Sequence, residues 1–294
     1  MVMSFHIYEM ALVRKWWTTD YAKDVVSALR EKERQRIPFN FRSPQIQYRS
    51  HLVKWICNIA EGLKLSSTTV HLAIYILDIF MDNHSIALES LNLLTLVSVL
   101  LAAKFEERDI NVPKVSDMNA LIESPYPVAE FLAMEFMTLQ FLKWSLVHPT
   151  AAHFAEFYVV HIISPADFSS DNHFETYKDL QHAAHHYMKE FLDYSLQDPG
   201  FHLFNPSLVA GSCIALARIR LRLSEKWTPG LLEVTQYRLS DLKPCMELIM
   251  RVYHLNQPTN KAAEERKRKF TESPDHGYGT CTSVTSSPET SGRS

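Results

Sequence analysis

SLNLLTLVSVLLAAKFEER, residues 90–108, is the stretch whose reading decides the fold. From Leu91 to Ala103 it is apolar on every side, broken only by Asn92, Thr95 and Ser98. A helix with no polar face must be enclosed by other elements, so the stretch reads as the central rod of a helical bundle. Its length and interruptions put it short of the ~20 apolar residues that a bilayer crossing needs. The rod ends in Lys104-Phe105-Glu106-Glu107-Arg108, where it reaches the surface. A buried rod that delivers charges and one aromatic to a defined point has the form of the base of a binding site.

The rest of the chain is also read as helix. Seven glycines in 294 residues and no G-x-G-x-x-G or P-loop pattern leave no loop to cradle a phosphate. The β-branched alternation of strands is missing. The length suggests two domains, and a hydrophobic fraction of 46% is enough to build their cores. A formal charge of −3 gives no support for non-specific nucleic-acid binding. Cys57, Cys213, Cys245 and Cys281 are far apart with no C-x-x-C, so neither zinc nor a disulfide framework is indicated and reduced, mostly buried thiols are expected. Glu9, Arg14 and Lys15 stand where a signal peptide would need an apolar run.

Ahead of the rod, Trp16 to Arg36 reads as an amphipathic packing helix within an amino-terminal segment 1–43. Thr18 or Thr19 caps it, Tyr21, Val25, Val26 and Leu29 form its stripe, and Arg30 to Arg34 fill its exposed end. Trp16 and Trp17 anchor it by simple packing. Pro44 to Ala60 is the next helix, with Tyr48, Leu52, Trp55, Ile56 and Ile59 on its core face. Ser66 or Ser67 caps a helix to Met81 whose centre, HLAIYILDIFM, is apolar except for Asp78. An unpaired carboxylate buried there would cost several kcal/mol, so a cationic partner is expected and Arg49 is the candidate. The alternative is a solvated Asp78 near the helix end.

Behind the rod, Pro113 opens a helix, PKVSDMNALI, and Pro125 and Pro127 open another to Lys143. The stripe of the latter is Val128, Phe131, Leu132, Phe136, Leu139 and Leu142, and Glu135 sits inside it. A second acid in an apolar place needs a specific hydrogen-bonding role. His148-Pro149-Thr150 is a boundary, dividing domains at 44–148 and 149–256. Beyond it come AAHFAEFYVVHII, a helix from Phe174 to Leu196, a second small-residue rod after Pro206, a Thr228–Pro229 start and a last helix capped by Ser240. The halves echo each other: Asp78 precedes Leu93, and Asp193 precedes Leu208, by fifteen residues each. Residues 257–294 are rich in Ser, Thr and Pro and read as a disordered tail. The tail's Arg266-Lys267-Arg268-Lys269 run reads either as a nuclear-import signal or as a solvated helix end, and Ser273-Pro274 and Ser287-Pro288 as weak kinase sites.

Catalytic chemistry is hard to find. His182, His185 and His186 share a helix at metal-binding spacing, but Ala183 stands where an H-E-x-x-H site has Glu, so an exposed His face is expected instead of a metal. No nucleophile elbow and no Cys–His pairing is visible. The expectation is a protein that is not an enzyme, with no cofactor.

With those motifs in view, the chain resembles the cyclin family. LLAAKFEE, preceded by HLAIYILDIFM and followed by AMEFMTLQFLKWSL, is similar to a cyclin box, and YRSHLVKWI to the first helix of that box. PSLVAGSCIALA with WTPGLLEVTQYRLSDLKPCMEL is similar to a second box. KWWTTDYAKDVVSALREKE followed by SPQ resembles, more narrowly, the amino end of the J-type branch. The resemblance implies two tandem five-helix domains and a regulatory subunit of a cyclin-dependent kinase. It implies a kinase interface at Lys104 and Glu135 with Phe105, Glu106, Glu107, Leu139, Trp144 and Leu146, and a buried ion pair of Arg49 with Asp78. A substrate-docking patch is implied at Tyr48, Leu52 and Trp55, but Tyr48, His51 and Asn58 depart from the family pattern there. An intracellular location, nuclear in preference to cytoplasmic, goes with that role, and neither nucleic acid nor membrane is an expected partner. The competing reading is a cyclin-fold adaptor or transcription-factor core that activates no kinase.

Overall fold

The computed structural model describes residues 19–168 and 174–256, and among them it contains helices and turns but no strand. The expectations attached to Trp16, Trp17, Thr18, Cys281, the 257–294 tail, its basic run and its Ser-Pro pairs lie outside the described residues. Helix α1 spans Ala22–Arg34. A first set of five follows: α2 (Arg49–Leu63), α3 (Ser67–Asn83), α4 (Leu88–Glu106), α5 (Val115–Asn119) and α6 (Val128–Phe141). A second set repeats the order: α7 (Ala151–Tyr158), α8 (Tyr177–Tyr194), α9 (Pro206–Arg220), α10 (Pro229–Thr235) and α11 (Leu239–Asn256).

α4 is the buried rod of the first set, with Leu91 and every residue from Leu93 to Ala103 enclosed. Its two hydroxyls stay satisfied inside the helix, because Thr95 and Ser98 donate to the carbonyls of Leu91 and Leu94 at 2.8 Å. At 19 residues it is, by length and composition, apolar enough to cross a membrane, which corrects the expectation that it is too short. Its apolar faces are instead covered by α3, α2 and α6 in one core. α3 is nearly as enclosed, buried from His71 through Asp82. Its start is capped as expected, the Ser66 hydroxyl accepting from the Thr69 N–H at 3.3 Å.

A second core gathers α7, α8, α9 and α11, and α1 packs there through Ala22 and Val26. The inward line of α1 is Ala22, Val26 and Glu33 with Leu29 partly buried beside it, so Val26 and Leu29 of the expected stripe face the core while Tyr21 is exposed. Tyr21 also takes the cap position, with no side-chain cap. At the charged end of α1, Glu31, Lys32 and Arg34 are exposed as expected, but Glu33 and Arg30 turn inward. Glu33 is buried and accepts from the backbone N–H and hydroxyl of Ser207 at 3.0 and 2.7 Å, supplying acceptors at the start of α9. Arg30 donates to Tyr158 Oη at 2.9 Å, to Tyr237 Oη at 3.3 Å and to the Thr235 carbonyl.

Smaller differences have local causes. The residues after Pro44 form a 3-10 turn, Ile46–Tyr48, before α2 begins at Arg49. The helix after Pro113 is only Val115–Asn119. Ser240 lies inside α11, and Asp241 does the work at its start by accepting from the Arg238 N–H at 2.8 Å. Thr228 and Pro229 start α10 as expected, the Thr228 hydroxyl accepting from the Leu231 N–H at 3.2 Å.

Candidate functional site

Two charges that periodicity placed among apolar residues meet their partners. Arg49, in the first turn of α2, forms a bidentate ion pair with Asp78 of α3, with Nε donating at 2.7 Å and Nη2 at 2.8 Å. Asp78 is buried, which pushes its carboxyl up, but the Arg49 charge and the His202 and Arg49 hydrogen bonds outweigh that and hold it at about 2. Two contacts escape any sequence pattern. His202 Nε2 lies 2.7 Å from Asp78 Oδ2, and Arg49 Nη1 donates to the Gln197 carbonyl at 3.1 Å. The pair therefore fixes α2 to α3 and ties both to the chain after α8. Nearby, burial first and then the His153 charge keep His71 neutral, its pKa lowered to about 3.

At the end of α4 the rod surfaces. Lys104 Nζ reaches Glu135 Oε1 on α6 at 2.5 Å, with side-chain exposures of 46% and 14%. An exposed pair of this kind contributes at most ~1 kcal/mol to stability. Lys104 keeps further N–H donors and Glu135 a second carboxylate oxygen, so together they can offer a donor and an acceptor to another backbone. Glu135 stands at the margin of the buried face of α6, not within a buried stripe. That face is Phe131, Met134 and Thr138, and Val128, Leu132 and Phe136 point outward with Met137. Leu139 and Leu146 pack partly against the first core. Lys143 and Trp144 both adopt left-handed φ, 52° and 60°, conformations that cost a non-glycine residue about 1–2 kcal/mol. The turn throws Trp144 out, 64% exposed, edge-on to Phe136 at 5.8 Å. Beside the ion pair there is thus an uncovered apolar face, Phe105, Leu132, Phe136 and Trp144, of the type that marks interaction sites.

Two residues expected on that ledge turn inward. Glu107 accepts from the Ser66 N–H and the Thr69 hydroxyl, both at 2.7 Å, reinforcing the start of α3. Glu106 Oε1 lies 3.0 Å from His153 Nε2 on α7, and His153 Nδ1 faces the Thr150 hydroxyl at 2.8 Å. Their carboxylates are engaged within the molecule because each sits beside donors at a helix start.

Tyr48, in the turn before α2, is exposed; on α2 Trp55 is half-buried and Leu52 is buried in the core, so Leu52 is floor and not contact surface. The second set has an ion pair of its own that sequence reasoning missed. Fully buried Arg218 of α9 donates to Asp167 at 2.9 and 2.7 Å and to the Ile162 carbonyl at 2.6 Å. The signal was available, an arginine within the apolar ALARIRL run. Asp193, placed by the sequence echo opposite Asp78, lies on the exposed side of α8. The repeat therefore extends to helices and not to this pair. Among the described residues no group of three or more His, Cys, Asp or Glu is arranged to hold a metal.

The comparisons with known proteins agree with this architecture. Residues 24–147 match the cyclin N-terminal domain and residues 149–283 the cyclin C-terminal domain. The chain belongs to the cyclin family. Cyclin-J of Xenopus laevis is 34% identical over 246 residues, 82% of this chain and 64% of that protein. Cyclin-J of Homo sapiens is 32% identical over 246 residues, covering 82% and 63%, and human Cyclin-A2 is 30% identical over 278 residues, covering 92% and 59%. The chain thus spans a little under two thirds of the length of its J-type relatives. In fold it is similar to a viral cyclin from herpesvirus saimiri, with a TM-score of 0.58 at 18% identity, covering 78% of this chain and 96% of that one. A chain of the CAK complex of Chaetomium thermophilum bound to ATP-gamma-S gives 0.53 at 15% identity, covering 87% and 88%.

Proposed function

We propose that this chain is an activating regulatory subunit of a cyclin-dependent protein kinase in cell-cycle control, acting in the nucleus and catalysing no step itself. The observation that carries the reading is the Lys104–Glu135 pair beside an uncovered apolar face. Lys104 donates to, and Glu135 accepts from, the kinase backbone near its αC helix, while Phe105, Phe136 and Trp144 cover apolar surface. Leu139 and Leu146 support that face from beneath. A kinase needs its catalytic Lys–Glu pair and its metal-binding Asp aligned for phosphoryl transfer. A partner that binds only the aligned state shifts the population toward it. Going from 1:99 to 99:1 takes ~5.5 kcal/mol of differential affinity, within reach of an interface of ~2,000 Å² anchored by a few residues. Substrate peptides dock, in this reading, near Tyr48 and Trp55.

Lys104→Ala with Glu135→Ala is expected to abolish co-purification of a kinase while leaving the circular-dichroism signal unchanged. Unaltered kinase recovery by the double variant refutes the reading. Kinase recovery without phosphorylation of a Ser/Thr-Pro substrate would leave an adaptor instead.

A further inference from the structure

In the second set of helices, Ile219, in the last turn of α9, and Met250, on α11, line one groove of about 560 Å³ between α8, α9 and α11. The end of α9 therefore borders an apolar floor, where the end of α4 carries an ion pair.

The chemistry around that floor is specific. Arg220 lies over the ring of Tyr187 at 5.6 Å and that of Tyr253 at 6.0 Å, and such stacking holds a guanidinium's N–H edge ready for an acceptor. Arg222 follows in a left-handed conformation, φ 56°, at the same rim. Both arginine residues are exposed, and among the described residues no carboxylate lies within ion-pair distance of either.

We propose that this groove is a second docking surface, for an acidic segment of a partner protein that also carries one large apolar side chain. Carboxylates of that segment meet Arg220 and Arg222, and the apolar side chain covers Ile219 and Met250. A second copy of this chain is a poor occupant, because a two-fold contact would set the arginine rims against each other. The surface is independent of the Lys104–Glu135 ledge.

The test is selection of a random peptide library, displayed on phage, against the full chain. Peptides with Asp or Glu around a Phe, Leu or Trp are expected to be enriched. Their synthetic forms should bind about tenfold or more weakly to the R220E/R222E variant, and progressively less well as salt is raised. Ile219→Asp should weaken them as well, and Lys104→Ala with Glu135→Ala should leave them unchanged. Circular dichroism confirms that each variant is folded. Enrichment of neutral or basic sequences overturns the proposal, as does equal binding to R220E/R222E or a strict need for a phosphorylated residue. Self-association that Ile219→Asp abolishes also overturns it.

Discussion

Asp78 is held at both of its carboxylate oxygens. Its two oxygens take Arg49 Nε and Nη2 and face His202 Nε2, all between 2.7 and 2.8 Å. A buried pair is costly to form but more costly to break, because a lone charge remains in a low-dielectric site. Arg49→Ala should therefore lower the unfolding free energy by ~3–5 kcal/mol, and Arg49→Met with Asp78→Leu by much less; urea denaturation of both variants checks this. The depressed carboxyl sets the acid side: its contribution is complete above the unfolded value of ~3.9 and is lost as pH falls toward about 2. The pair was legible in sequence because a carboxylate inside HLAIYILDIFM demands a partner. His202 was not, since it lies 124 residues away and a single histidine has no spacing to betray it.

Among the elements, α6 shows most clearly how far a pattern reaches. Its apolar residues run almost all the way round, and periodicity treats them as one inward stripe. Packing divides them: Phe131 and Met134 join the core, while Val128, Leu132 and Phe136 are left uncovered. The end of α4 divides in the same way, Lys104 outward and Glu107 back to the start of α3. Glu107→Ala should accordingly cost ~1–2 kcal/mol of stability, the scale of a lost cap or charged hydrogen bond, and should leave kinase recovery unchanged when the stabilised fold is assayed at low temperature. Thermal melts beside co-purification separate the two effects; a binding loss with an unchanged melt would return Glu107 to the interface.

At the scale of the whole molecule, polar contacts stitch the first five helices to the second five. His153 faces Glu106 at 3.0 Å, His202 faces Asp78, and Arg49 donates to the Gln197 carbonyl. α1 adds a clasp, leaving the first core aside and fastening to α9 and α10 through Glu33 and Arg30. Such ties should make the two cores unfold as one. His153→Ala with His202→Ala should reduce that cooperativity, seen as a smaller urea m-value or as fluorescence and circular-dichroism transitions that no longer coincide. A single coincident transition with an unchanged m-value would show that apolar packing alone couples the cores.

The sequence by itself determined the all-helical class, the two buried rods, the doubled helix order and the need of Asp78 and Glu135 for partners. Those features follow from local periodicity and from the cost of burying charge, which act along the chain. Only the tertiary structure decided which face of α6 stays uncovered, where Glu106, Glu107, Arg30 and Glu33 spend their charges, and that Asp167 is the partner of Arg218. Each of these depends on which donors and apolar surfaces arrive from distant segments, and no spacing within one segment encodes what will be packed against it.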